Sequence, residues 1–322
     1  MDENLISRIL DEKGWNVLDE LGYGRYGFVY KIEDRKSHKV YAVKVMIASE
    51  DPDDDDDFSE TNIEDLDKEI RILGKLTEYK QCGLVPCLHS TFRVQKRGRM
   101  YAFIIMDYIE GKTLNNIWED LSIEERKNIM KLIILGIKTL QSIGFIHLDL
   151  HGNNIMITKN MNVYFLDFGI SCIQQPCWAP IGGWYTPPEH NKNDEKKEYN
   201  SVFSELSDIY QLGLLFGELI LQSDIIKSTF GDDIYERCET IQTEWEKLKN
   251  KDEYSYWRKI IPQMVKCNPI ERPTASMILR EYETGEIISV KEIIEINNKL
   301  VHFYKESEGS DIIKTSSLIS LN

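Results

Sequence analysis

Hydrophobic and polar positions along the chain change period several times, and each change marks an element. Leu5, Ile6, Ile9 and Leu10 recur at helical spacing up to Gly14, which predicts a short N-terminal helix over residues 1–13 packing on the neighbouring strands. Val17, Leu18 and Leu21 lead into a glycine-rich turn, and Phe28 to Tyr30 resume an extended, aromatic and β-branched pattern. This predicts a hairpin of two strands with Gly22, Gly24 and Gly27 between them. Val40 to Ile47 reads as a third strand whose interior carries a single charge, Lys44, a costly position unless the ammonium is paired. A helix from about Thr61 to Thr77 has Ile70, Leu73 and Leu76 at helical spacing. Leu84 to Val94 and Met100 to Tyr108 read as two further strands around the basic turn QKRGR.

From Ser122 the chain turns helical, with Ile123, Ile129, Leu132, Ile133, Ile137 and Leu140 in an apolar stripe that delivers it to Phe145. Two short apolar runs come next, Ile155 to Ile157 and Val163 to Leu166, joined by the turn-like Lys-Asn-Met-Asn. They predict two strands in a hairpin, with Asp149 and Asn154 on the loop entering the first and Asp167 just past the second. Hard oxygen ligands of this kind suit Mg²⁺, which is held by one or two carboxylates plus substrate phosphates. Residues 170–189, rich in Gly and Pro, read as a loop. The longest apolar run, Ile209 to Leu221, is too short to span a bilayer and contains Gln211 and Glu218, so it reads as a buried helix. Ile288, Val290, Ile293, Ile294, Leu300, Val301 and Tyr304 outline one more amphipathic helix, with a polar tail after Glu306.

Charge narrows the function classes. A formal net charge of -15 over 322 residues argues against general affinity for nucleic acid or anionic membranes, which reward clustered Lys and Arg. Five consecutive aspartates, Asp53 to Asp57, cannot bury themselves and repel one another, so residues 49–60 read as a solvated insertion. A docking site for a basic partner, or a trap for divalent cations, is the functional alternative there. No N-terminal stretch joins a basic region to an apolar one, so no secretory signal is expected. Cys82 and Cys87, like Cys172 and Cys177, are spaced C-x4-C, looser than common zinc knuckles. Free, partly buried thiols in a reducing cytosol are the expectation.

The pattern H-x-D-x-x-x-x-N at His147 to Asn154, followed by D-F-G at Asp167 to Gly169, resembles the catalytic segment of eukaryotic-type protein kinases. Other marks of that family stand in its order across residues 15–285. They are a G-x-G-x-x-G that runs into a strand, Lys44 in the third strand, Glu69 in the next helix, Pro187-Pro188-Glu189, Asp208 in a helix, and Arg272 within NPIERPT. The resemblance implies an α+β, two-lobed fold. Residues 15–109 would form a small lobe of antiparallel sheet plus one helix, and residues 110–285 a larger, mainly helical lobe. Residues 1–14 and 286–322 would add a helix at one end, and a helix and tail at the other.

The same resemblance implies ATP and Mg²⁺ as cofactors and assigns roles. Asp149 would be the catalytic base, with Asn154 and Asp167 holding metal. Lys44 would meet the α/β-phosphates and pair with Glu69. Gly22, Gly24 and Gly27 would bring backbone N–H groups close to phosphate oxygens. Leu21, Val29, Ala42, Met156 and the gatekeeper Met106 would line the nucleotide, the backbone of Asp107 and Tyr108 would bond adenine, and Thr113 would fall near the ribose. Asp208 would hold the catalytic loop from below, and Arg272 would pair with Glu189.

Three positions depart from the family pattern. Leu148 replaces the arginine before the catalytic aspartate, His151 replaces the lysine that contacts the γ-phosphate in Ser/Thr kinases, and Gly182 stands where a threonine is usual. His151 can still donate a hydrogen bond to phosphate, so it joins the catalytic set. Asp-Leu-His is shared with aminoglycoside-type and lipopolysaccharide-type phosphotransferases. The expected function is therefore an ATP-dependent protein kinase acting on Ser/Thr hydroxyls, with a small-molecule phosphotransferase and a non-catalytic pseudokinase scaffold as alternatives. The expected partner is a protein substrate, with further docking through the acidic insertion or the C-terminal helix. The expected location is the cytoplasm, or a host cytosol if the source is a virus or an intracellular bacterium. Leu148 offers phosphate no partner, and Pro176, Pro180, Pro187 and Pro188 stiffen the loop that carries Ser171, Tyr185 and Thr186. Basal activity is thus expected not to need phosphorylation of that loop.

Overall fold

The computed structural model describes residues 3–24, 27–49, 63–96, 98–173, 183–189, 204–229 and 233–297. The chain divides into two compact units, Met1–Gly111 with Tyr164–Gly169, and Lys112–Val163 with Ile170–Asn322.

The first unit is an antiparallel five-stranded sheet flanked by helices. Helix α1 (Glu3–Glu12) precedes β1 (Trp15–Gly24), β2 (Gly27–Asp34) and β3 (Val40–Ser49); α2 (Ile63–Glu78) then leads to β4 (Leu88–Lys96) and β5 (Arg99–Asp107). The strands lie in the order β1-β2-β3-β5-β4. Because side chains alternate along a strand, Val43, Val45 and Ile47 of β3 share one face, and Ala42, Lys44 and Met46 share the other. On the first face Ile6, Ile9 and Leu10 of α1 complete a core with Phe28, Tyr30, Ile32, Tyr101, Phe103 and Ile105. On the second, Lys44 reaches Glu69 of α2. The N-terminal helix thus closes the apolar face of the sheet. Leu10→Ala, at a fully buried position, is expected to cost about 2–5 kcal/mol in chemical denaturation, since it leaves a cavity in that core.

One strand departs from the pattern read in the sequence, and one glycine has a packing reason of its own. Strand β4 begins at Leu88 rather than Leu84. Leu84 and Val85 instead donate to the Gln81 carbonyl in a turn, and Pro86 has no N–H to offer a ladder. At Gly27, φ is +137° and a Cβ would lie 2.0 Å from the Val45 carbonyl oxygen, so packing against β3 already demands glycine there.

The second unit is mainly helical. It comprises β6 (Gly111–Thr113, entering from the first unit), α3 (Leu114–Ile117), α4 (Ile123–Gln141), β7 (Phe145–Ile146) and β8 (Ile155–Thr158). The chain returns to the first unit along β9 (Val163–Phe165) and re-enters the second at Ile170, just before β10 (Cys172–Ile173), which pairs with β7. Then come α5 (Glu205–Leu221), α6 (Ile225–Ser228), α7 (Ile234–Trp245), α8 (Trp257–Met264) and α9 (Ala275–Thr284). Helix α4 starts where the sequence predicts. Ser122 caps it by accepting from Glu125 N–H at 3.3 Å, and Ser122 N–H in turn donates to the Glu125 carboxylate at 2.9 Å.

Helix α5 is buried nearly all round, as its continuous apolar run predicts. It fits only because Gly217 is bare: a Cβ there would meet the Trp245 ring at 2.2 Å. Residues 290–297, the described part of the expected C-terminal helix, are helical. Ile293 packs with Ile288 and Met277, and the Asn297 amide donates to the Ile270 and Arg272 carbonyls at 2.9 Å. Leu300, Val301 and Tyr304 lie outside the described residues, as do the aspartate run, Pro176, Pro180, Cys177 and Gly182.

The cysteine expectation needs correcting. Cys82 is disulfide-bonded to Cys87, and Cys238 to Cys267. Their Cα atoms lie 5.0 and 5.9 Å apart, within the range a disulfide spans. The fold brings Cys238 and Cys267 together across 29 residues, which no local spacing reveals. Among the described residues no cluster of His, Cys, Asp and Glu could hold a metal by itself, and no helix is long and apolar enough to cross a membrane.

Candidate active site

In the first unit the site is built around Lys44. Register pairs Lys44 with Val29 across β2–β3, and Ala42 with Met106 across β3–β5, which puts these residues on neighbouring rungs of one sheet. The Lys44 ammonium donates to both Glu69 carboxylate oxygens at 2.7 and 2.9 Å, and to Asp167 Oδ1 at 3.0 Å. Lys44 and Glu69 are buried. Burial works against the charge on Lys44, but the Asp167 and Glu69 carboxylates outweigh it and hold the ammonium above the usual lysine range. Asp167 has a left-handed backbone, φ +60°, and Gly169 N–H donates to its Oδ1 at 3.3 Å. Phe168 beside it is buried.

Leu21, Gly22 and Gly24 lie on β1, and Gly24 faces Gly27 across the hairpin. The third glycine runs into β2, not into a helix, so this is not a dinucleotide-binding turn. At Asp107 the backbone N–H already donates to the Cys87 carbonyl, so any adenine contact at that residue falls to its carbonyl. The Asp107 carboxylate accepts from Cys87 N–H at 3.0 Å and meets His89 Nε2 at 2.7 Å. Tyr108 lies under the Lys31 ammonium, 4.3 Å from the ring centre.

In the second unit the loop bearing Asp149 is clamped from α5. Asp208, fully buried, accepts from His147 N–H at 3.1 Å and from Leu148 N–H at 2.9 Å. Burial pushes its carboxyl up to about 7, against the pull of those donors. Gln211, one turn further along α5, accepts from Leu150 N–H at 3.0 Å and donates to the Leu148 carbonyl at 2.7 Å. Leu148 itself is buried with φ +65°, a conformation that the two α5 side chains hold from both sides. Gln211 is visible in the sequence only as a polar break in an apolar run; its role as a backbone clamp comes from the fold.

That clamp presents Asp149 between two helpers. Asn154 Nδ2 donates to the Asp149 carbonyl at 3.0 Å and to its Oδ2 at 2.9 Å, and His151 Nε2 lies 3.7 Å from Oδ1. Asp149 and His151 open onto a cleft of about 510 Å³ that is also lined by Trp184, Tyr185, Glu218 and Lys227. Met156 stands on β8, half-buried. Glu189 and Arg272 meet as expected, with both guanidinium NH groups on the carboxylate at 2.8 and 2.7 Å, and Arg272 is wholly buried. Lys44, Glu69 and Asp167 therefore come together in one unit, and Asp149, His151 and Asn154 in the other.

Residues 15–282 match the model of the protein kinase domain. Among similar proteins, the Serine/threonine-protein kinase pakE of Dictyostelium discoideum is 28% identical over 214 residues, 65% of this chain and 21% of that protein. Mitogen-activated protein kinase kinase 9 of Arabidopsis thaliana is 25% identical over 209 residues, 63% of this chain and 62% of that protein. The interferon-induced, double-stranded RNA-activated protein kinase of Rattus norvegicus is 24% identical over 306 residues, 87% of this chain and 53% of that protein. The chain thus spans less than two thirds of each of these relatives. With the match running from β1 to α9, the chain belongs to the protein kinase domain family.

Proposed function

We propose that the protein is an ATP-dependent kinase that transfers a γ-phosphoryl group to Ser or Thr hydroxyls of a protein substrate. One observation carries this reading: a lysine ammonium buried between two carboxylates, 2.7 and 3.0 Å away. Apolar residues would fill that site at least as stably, so a service to fold alone does not account for three charges there. A cation held in that way suits the phosphates of a nucleotide.

The remaining residues divide the work. Asp149 accepts the proton of the acceptor hydroxyl, and Asn154, bonded to both the Asp149 backbone and its carboxylate, keeps that group oriented. With Nδ2 so engaged, Asn154 keeps its amide oxygen for a metal ion, and in the first unit Asp167 offers a carboxylate; each is a hard oxygen donor of the kind Mg²⁺ takes. Bound Mg²⁺ supplies charge neutralisation on the phosphate oxygens. Thr113 Oγ1, buried without a hydrogen-bond partner among the described residues, offers a hydroxyl for the ribose. Phosphoryl transfer asks little covalent chemistry of the protein, so position and electrostatics carry the rate.

Labelled Mg·ATP, offered with a protein mixture and separately with small metabolites, tests the reading. Label on protein Ser or Thr is expected; label on metabolites alone would contradict it. Regulation has its own expected result. Ser171 and Thr186 are buried, donating to the His147 and Gly183 carbonyls at 2.8 and 2.7 Å, and the Tyr185 hydroxyl donates to Glu218. Leu148 gives phosphate on any of them no charged partner. Phosphatase treatment is therefore expected to leave basal activity within about twofold, the scale of a change below ~0.5 kcal/mol. A large loss restored by re-phosphorylation at one of the three would overturn this.

A further inference from the structure

The cleft beside Asp149 contains charged groups with different commitments. Asp149 takes the Asn154 amide, and Glu218 takes the Tyr185 hydroxyl. Lys227, on α6, is the one Lys or Arg among the described residues that line the cleft. Its side chain is exposed, and no carboxylate pairs with it among the described residues. The ammonium lies over the ring of Trp184, 5.1 Å from its centre, and Trp184 is itself 46% exposed.

This arrangement is fixed from beneath. Arg237, buried on α7, donates to the Trp184 carbonyl and, at 3.2 Å, to the Ile226 carbonyl. Its Nε also meets Thr229 Oγ1 at 3.4 Å, and that hydroxyl donates to the Ile225 carbonyl at 2.6 Å. One guanidinium therefore holds both the segment that presents Trp184 and the short helix that presents Lys227. A cation resting on an aromatic face keeps its full charge, and its outer side remains open to an anion.

We infer that Lys227, seated on Trp184, selects protein substrates that carry a negative charge, carboxylate or phosphate, close in sequence to the acceptor hydroxyl. The inference rests on the kinase reading and extends it to the substrate. The chain's net charge of -15 does not reverse this preference. Exposed charges beyond about 8 Å are largely screened at physiological salt, so Lys227 acts on the part of the substrate that lies directly against it.

The test uses four peptides that differ only beside the acceptor serine, where they carry Glu, phosphoserine, Ala or Lys. Transfer is read as kcat/KM, and binding is read separately by anisotropy on labelled versions with Ala at the acceptor position. The Glu or the phosphoserine peptide is expected to exceed the Ala peptide by up to about fivefold in both readouts, as for one exposed ion pair. Which of the two is preferred identifies the source of the charge. Lys227→Glu, a change on an exposed side chain, is expected to invert the order, and Lys227→Ala to flatten it. Equal transfer to all four peptides, or preference for the Lys peptide, would overturn the inference and leave the kinase reading standing. Charge-selective binding without transfer would overturn the kinase reading and leave the binding site standing.

Discussion

Glu189→Ala is expected to destabilise the protein by about 3–5 kcal/mol, the cost of leaving a buried guanidinium without its carboxylate. Arg272 is wholly enclosed, stacks on Tyr210 at 4.7 Å, and donates to the Leu206 carbonyl at 3.0 Å and the Lys266 carbonyl at 2.7 Å. Those carbonyls cannot neutralise it. Against a typical stability of about 5–15 kcal/mol, the loss would remove much of the folded population. A double variant, Glu189→Ala with Arg272→Met, is expected to recover most of the deficit, because it removes the stranded charge as well. Its sign with pH is also fixed. Burial would raise the Glu189 carboxyl, but Arg272 and the Ser207 hydroxyl bring it below its ordinary value of 4.5. A depressed carboxylate adds stability above the unfolded value and loses it as pH falls through the folded one. The gap between wild type and Glu189→Ala, measured by denaturant titration, should therefore be full near neutrality and narrow below pH 4.5. A gap that stayed constant into acid would contradict the ion-pair account.

Asp149→Asn should lower kcat for phosphoryl transfer by about 10²–10⁴, the usual contribution of a positioned general base. The substitution keeps an oxygen that can accept from Asn154 and alters no backbone contact of the loop, which Asp208 and Gln211 hold independently. Nucleotide affinity is expected to change little, since the proposed phosphate cation, Lys44, depends on Glu69 and Asp167. A fall in kcat with unchanged affinity for ATP is the signature of an interaction made only in the transition state. Equal loss of ATP binding would mean that Asp149 supports the fold or the nucleotide instead.

The sequence is legible where function and periodicity coincide. A lone lysine inside an apolar strand needs partners, and the structure supplies them in Glu69 and Asp167. The β-branched run after the G-x-G-x-x-G makes it read as a hairpin, and β1–β2 is that hairpin. Less legible are contacts made across long separations. Nothing local to Gln211 says that it clamps Leu148 and Leu150, 63 and 61 residues away. Nothing near Trp184 says that Arg237, 53 residues on, will fix its carbonyl. The cysteines show the same limit: Cys238 and Cys267 are close only because α7 returns towards the segment after α8. Turn chemistry accounts for the start of β4, where Pro86 and the Gln81 turn delay the ladder.

A single-turnover experiment follows the transferred phosphoryl group itself. Protein preloaded with Mg²⁺ and γ-labelled ATP is mixed with a protein acceptor, and the label is followed to an identified residue, for wild type and Asp149→Asn at saturating nucleotide. Label is expected on Ser or Thr hydroxyls with wild type, at a rate at least about a hundredfold lower with the variant. Equal rates for the two proteins, or label that reaches only water or small metabolites, would overturn the kinase reading.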